Sequence, residues 1–361
     1  MRIQQIINNS GKLLRWNKSV HLISYPGIGK SSMVKQIAEL HDIPLSTYML
    51  GNATPVDLPG YMIPDKDETT GRMYANNTVP FWAMLNGDND EMLDTVFDHE
   101  RGILFFDEFG QADPDVKKAA APIILDRQIG RHKLPKGWVV WLASNRASDR
   151  SGVTRNMDHI INRTCEQHVE GHPEDLMNYM AGKNYSPILR AYVDRRQNII
   201  FGGIPKEQGP FCTPRSYLAA CDYLQLCTED DLAYSLDAMD METLGGTVGA
   251  VAAADIRAFL ELHDQLPSKR DVLEHPDTAK VPKGMDGQMV VVQMLAFDVN
   301  EDNADAIIKY VRRLSEDMAV TFAKTAAARN RKLLMTKAFT KWTAENNSLL
   351  SAVAALSSLG R

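Results

Sequence analysis

The chain has 361 residues, 44% of them hydrophobic and 24% charged, with a formal net charge of −6. That length exceeds one ordinary hydrophobic core, so two or three globular domains are expected. The charge excludes an overall field that would draw the molecule onto nucleic acid or an acidic membrane, so such binding must come from a local patch.

Four cysteines, Cys165, Cys212, Cys221 and Cys227, form no C-x-x-C pair and fall far short of a disulfide scaffold. They are expected to be inert thiols in a reducing compartment. No apolar run approaches the ~18 residues of a membrane span, and MRIQQIINNSGKLLRW lacks the apolar core of a signal peptide. A cytoplasmic protein with no membrane contact is the expectation.

In chain order, Ile3, Ile6, Ile7, Leu13 and Leu14 are spaced for an amphipathic helix over 3 to 15. A short strand follows at 19 to 24, then a Gly-rich loop, a helix from about Lys30 to Leu40 and a strand from Ile43 to Met49. This β-loop-α-β unit favours a parallel sheet covered by helices. From Gly51 to Arg101 turn formers and charges dominate, which reads as long loops or an inserted hairpin. Gly102 to Phe106 is an unbroken apolar run, as in a strand buried on both faces. Asp113-Pro114 opens a helix towards Arg127 that Pro122 should kink or divide. Trp138 to Ala143 is another buried strand.

After about Glu170 the pattern becomes helical, with segments near 173 to 181, 186 to 197, 214 to 226 and 229 to 239, then an Ala-rich helix from Thr247 to Leu262. The stretch 267 to 287 reads as a linker, and the remainder, with Ile307, Ile308, Val311, Leu314, Met318 and Phe322, is helical again. The expected architecture is an α/β P-loop nucleotide-binding domain over 1–170, a helical lid over 171–266 and a C-terminal helical region over 267–361.

The chemistry gathers at three strand ends. Residues 24 to 32 read SYPGIGKSS. Gly27 and Gly29 permit backbone conformations closed to other residues and let amides converge on an anion, while the helix beginning at Lys30 adds its N-terminal dipole. Pro26, Gly27, Ile28, Gly29, Lys30, Ser31 and Ser32 thus form a phosphate cradle. Lys30 would reach the β- and γ-phosphates and the Ser31 hydroxyl would ligate Mg²⁺, as G-x-x-x-x-G-K-[ST] requires. Ser24 stands where that motif has its first Gly. In ILFFDEFG, Asp107 and Glu108 stand at the C-terminal end of a buried strand, where ligands bind in open α/β sheets. Asp107 would hold Mg²⁺ through water, and Glu108 would polarise the attacking water. Asn145, after WVVWLAS, can orient that water or touch the γ-phosphate without adding negative charge.

With these motifs in place the chain resembles the AAA+ ATPases, most closely their MoxR-like branch, over about residues 1 to 262. DEFGQADPDVKKAAAPIILDRQIGRHKLP looks like that family's second motif, following helix and short hairpin. WLASNRASDRSGVTRNMDHIINRT is similar to its sensor-1 strand and the segment leading to the arginine finger, and TPVDLPG resembles the stretch after its second strand. The resemblance implies that Lys30 and Ser31 are the Walker A pair, Asp107 and Glu108 the Walker B pair, and Asn145 sensor 1. It also implies that Arg163 is an arginine finger reaching a neighbouring subunit's nucleotide and that Arg215, in CTPRSY, is sensor 2. Thr164 stands where an aromatic often follows the finger, so Arg155 is a rival for that role.

What the resemblance implies is a Mg²⁺-dependent ATP hydrolase, assembled as a hexameric ring, that remodels a protein client or works with a partner containing a von Willebrand A domain. The segment from Thr54 to Pro80, with Tyr61, Met62, Met73 and Tyr74, is the expected client contact. Residues 323 to 342 hold Lys324, Arg329, Arg331, Lys332, Lys337 and Lys341 and no acid. On a helix they could meet DNA, RNA or an acidic partner, which keeps open a nucleic-acid motor or loader of the clamp-loader or helicase-loader type. Phe339 and Trp342 read as core. A nucleotide switch that binds ATP and hardly turns it over is the third reading, against which Glu108 and Arg163 speak.

Overall fold

In the computed structural model, residues 1–85, 94–149, 158–228, 234–262 and 266–345 are described. The chain divides into two compact units, Met1–His172 and Pro173–Arg361.

The first unit is built on a parallel sheet. Helix α1 (Ile3–Trp16) leads into strand β1 (Ser19–Ser24), helix α2 (Lys30–His41) and strand β2 (Leu45–Met49). A hairpin follows, β3 (Met62–Lys66) and β4 (Met73–Asn77), and then β5 (Arg101–Asp107) and helix α3 (Pro114–Asp126). A two-residue ribbon, β6 (Gln128–Ile129) and β7 (His132–Lys133), precedes β8 (Gly137–Asn145), α4 (Asp158–Ile161) and β9 (Thr164–His168). The five-stranded order is β2-β5-β8-β1-β9, with every pairing parallel. The central strands β5 and β8 are enclosed almost throughout, which is why they are unbroken apolar runs. One core cluster lies under α3 with Trp82, Phe106, Phe109 and Trp138, and another holds Val20, Leu22, Ile37, Phe105 and Trp141.

Helix α3 is not divided: it runs through Pro122, whose carbonyl accepts from Arg127 N. Strand β9 was not expected from its residues. It is an edge strand beside β1 alone, and Thr-Cys-Glu-Gln-His is only half-buried, so no apolar run marks it.

The second unit is helical: α5 (Pro173–Gly182), α6 (Pro187–Arg195), α7 (Gln197–Ile200), α8 (Pro214–Leu224), α9 (Ala238–Val248), α10 (Ala250–Leu260), α11 (Lys269–Glu274), α12 (Met285–Asp298), α13 (Ala304–Val311), α14 (Glu316–Arg329) and α15 (Lys337–Ala344). Most of its buried hydrophobic residues, from Leu176 to Trp342, form one cluster. Three expectations are corrected. The helix expected over 229 to 239 begins only at Ala238, where Asp237 caps it by accepting from Asp240 N, and 229 to 233 lie outside the described residues. The Ala-rich helix is split at Gly249, whose φ of 89° no helix contains. The stretch 267 to 287 is packed rather than linker-like: Ser268 caps α11, and Val272 and Ala279 are buried in the common core. Its prolines mark turns between short packed pieces.

Candidate functional site at the carboxyl ends of β1, β5 and β8

Strand order places β1 between β8 and β9, so the chain leaves β1 in one direction across the sheet and later returns to β1's other side. The crevice beyond such a reversal is where ligands bind in open α/β sheets. The loop leaving β1 there carries Gly27 at φ 75° and Gly29 at φ 108°, both in the left-handed region that favours glycine. Gly29 is the N-cap of α2 and offers no side-chain cap. The first-turn amides of a helix have no acceptor farther back in the helix, which suits this end of α2 to an anion.

Lys30 is enclosed, 8% exposed. Its ammonium donates to Ser24 Oγ at 2.9 Å, to the Tyr25 carbonyl at 3.4 Å and to Asn145 Oδ1 at 3.0 Å. The residue that departs from the motif, Ser24, is therefore a partner of the motif's lysine. Ser31 Oγ donates to Asp107 Oδ2 at 2.5 Å. Parallel register makes these meetings: Ser24 stands opposite Asn145, and the end of β5 lies beside the end of β8. Arg146 N donates to the Ser24 carbonyl at 3.1 Å, and its guanidinium lies 4.7 Å from the Tyr25 ring centroid. Ser32 is exposed on the far side of the turn, where its hydroxyl accepts from Gln36 Nε2 at 3.4 Å.

Glu108 has φ 54°, a left-handed conformation that costs a residue with a side chain of order 1 kcal/mol. It is held there by its neighbours. Its N–H donates to Asp107 Oδ1 at 2.8 Å, Phe109 N to the Ala143 carbonyl at 2.9 Å, and Gln111 N to the Glu108 carbonyl at 3.0 Å. Behind this turn Lys117, 0% exposed, donates to the Gly110 carbonyl at 3.0 Å, with its ammonium 5.3 Å from the Phe109 ring centroid. Burial lowers the Lys117 pKa to about 8. His21 meets Phe109 edge-on and shares a 2.7 Å hydrogen bond with Ser144 Oγ, one residue before Asn145. Burial, followed by Lys117, His168 and Lys30, lowers the His21 pKa to about 4. Those effects outweigh exposed Glu166, whose Oε1 lies 3.7 Å from His21 Nδ1.

The structure thus brings together Lys30, Ser31, Asp107 and Asn145, with Glu108 at the next position along the chain. Arg163 is exposed just past α4, its amide bonded to the Ile160 carbonyl. Arg215 is exposed in the first turn of α8, in the second unit. Arg155 lies outside the described residues. Sequence reasoning missed His21, a lone polar residue in an apolar strand, and Lys117, which lies on the buried face of α3 and is masked by its neighbours Asp115 and Lys118.

Among the described residues no group of three or more His, Cys, Asp or Glu is placed to hold a metal ion. Ser31 and Asp107 supply one hydroxyl and one carboxylate. That donor set fits Mg²⁺, which commonly takes one or two protein oxygens and completes its shell with phosphates and water.

No protein-family model matches the chain, and neither does any curated protein. Among solved structures it is similar to a putative ATPase from Cytophaga hutchinsonii, at 12% identity over 72% of this chain and 92% of that one, with a TM-score of 0.33. A likeness so distant carries no argument about fold or function.

Proposed function

We propose that the chain is a Mg²⁺-dependent ATP hydrolase of the MoxR-like AAA+ type, which works as a ring and couples hydrolysis to remodelling a partner protein. The observation that carries this reading is the convergence of Lys30, Ser31, Asp107 and Asn145 on the glycine-rich loop at the carboxyl ends of β1, β5 and β8.

Phosphoryl transfer asks the protein for positioning and charge neutralisation. The amides from Gly27 to Ser32 cradle the phosphates, and Lys30 exchanges its present acceptors for phosphate oxygens. Ser31 and Asp107 would hold Mg²⁺, which would supply charge neutralisation at the phosphates. Glu108 accepts a hydrogen bond from the attacking water, and Asn145 orients that water or the γ-phosphate. Arg163 takes the arginine-finger role from a neighbouring subunit, and Arg215 takes the sensor-2 role. The β3–β4 hairpin presents Tyr61, Met62, Ile63, Met73 and Tyr74 to solvent and is the proposed client contact.

A second reading, a nucleic-acid motor or loader, draws on one observation: Lys324 and Arg329 on α14, Lys332 in the turn after it, and Lys337 and Lys341 on α15 are all exposed. The test is the ATP turnover rate per subunit against protein concentration, for wild type and Arg163→Ala, with and without single-stranded and duplex DNA. A rate that climbs with concentration, falls about 10³-fold or more in Arg163→Ala and ignores DNA is expected. DNA stimulation would put the motor reading first, and a rate independent of concentration would count against the ring.

A further inference from the structure

Strand β2 ends beside the strand that carries the two carboxylates: Met49 stands opposite Asp107 in the parallel pairing. The tight turn that follows, Leu50–Asn52, therefore lies against Glu108. A Cβ added at Gly51 would come within 2.8 Å of Glu108 Oε2, 3.3 Å of Glu108 Cβ and 3.8 Å of Gln111 Cβ. Gly51 is not among the glycines at positive φ, so its backbone suits any residue and conformational freedom does not account for the glycine. Room does.

The closest atom that such a Cβ would displace belongs to the far end of a flexible side chain. The backbone on which that side chain stands has little freedom to give way. It is pinned by Glu108 N to Asp107 Oδ1, Phe109 N to Ala143 O, Gln111 N to Glu108 O and Lys117 Nζ to Gly110 O. Added volume at 51 is therefore absorbed by rotation of the Glu108 carboxylate.

We propose that Gly51 is a positioning residue for hydrolysis: the space above its Cα is the seat that holds the Glu108 carboxylate where it meets the attacking water. This rests on the ATP-hydrolase reading above. The seat acts on the chemical step alone, because neither Gly51 nor the Glu108 carboxylate is part of the phosphate cradle. A misplacement of about 1 Å at a reacting group costs on the order of 10²-fold in rate.

The test is steady-state ATP turnover, ATP affinity and urea unfolding of the full chain for wild type, Gly51→Ala, Glu108→Gln and the double variant. Gly51→Ala is expected to lower kcat about 10- to 100-fold while KM, ATP affinity and the unfolding midpoint stay within twofold or experimental error. In the Glu108→Gln background the same change is expected to have no further effect, because the carboxylate it displaces is gone. Wild-type kcat in Gly51→Ala would overturn the seat, as would joint loss of affinity and stability or an added loss of rate in the double variant. A wild-type chain without ATP turnover would overturn the hydrolase reading and this proposal with it, an outcome distinct from a working wild type matched by Gly51→Ala.

Discussion

The ammonium of Lys30 and the side-chain amide of Asn145, 115 residues apart, are joined by a 3.0 Å hydrogen bond across the ends of β1 and β8. A buried ammonium bonded to neutral oxygens is ready to exchange them for phosphate, because charge-assisted hydrogen bonds are the stronger ones. Lys30→Met is expected to weaken ATP binding about 10- to 100-fold, the worth of hydrogen bonds to a charged group. It should leave folding stability within about 1 kcal/mol, since an enclosed charge is replaced by an apolar chain of similar length. Titration calorimetry and urea unfolding check the two halves separately.

His21 makes stability depend on pH. Its folded pKa, about 4, lies below the ordinary 6.5, so between those values the unfolded chain binds the proton and the folded chain does not. Its contribution is complete above about pH 6.5, falls as the pH drops towards 4, and changes no further below that. The loss over that window is of order 3 kcal/mol. His21→Gln, neutral throughout, is expected to flatten the difference between unfolding free energies at pH 7 and pH 4.5 relative to wild type. An unchanged pH slope would contradict the assignment.

Trp342 ties the last described helix to the core. It is 4% exposed, with Phe339 at 5.5 Å edge-on and Phe322 at 6.0 Å between ring centroids. Trp342→Ala is expected to cost about 3–5 kcal/mol in unfolding free energy. A loss below about 1 kcal/mol would show that α15 adds little to the unit it packs on.

Much of the first unit was legible because its signals are local. Buried parallel strands are apolar runs, and SYPGIGKSS carries its own backbone chemistry in Gly27 and Gly29. Strand β9 was not legible, because an edge strand half open to water needs no apolar pattern. Nor was the packing of 267 to 287, where three prolines and several charges conceal Val272 and Ala279, buried in the core, and Leu273 and Val281, packed against it. Ser24 departs from the motif in sequence, and only the fold shows its hydroxyl accepting from Lys30. Gly51 lay beyond sequence reasoning altogether, since a glycine kept small for a side chain 57 positions away leaves no local trace.

The measurement that bears most directly on the account is ATP turnover by the full chain with Mg²⁺, for wild type and Glu108→Gln, with ATP affinity determined on the same samples. Glu108 lies next to a magnesium-binding carboxylate in this account but holds no phosphate. Its amide variant is therefore expected to bind ATP within a few-fold of wild type and to lose about 10²- to 10³-fold in turnover. Equal turnover in the two proteins, or failure of the wild type to bind ATP, would contradict the assignment of this site.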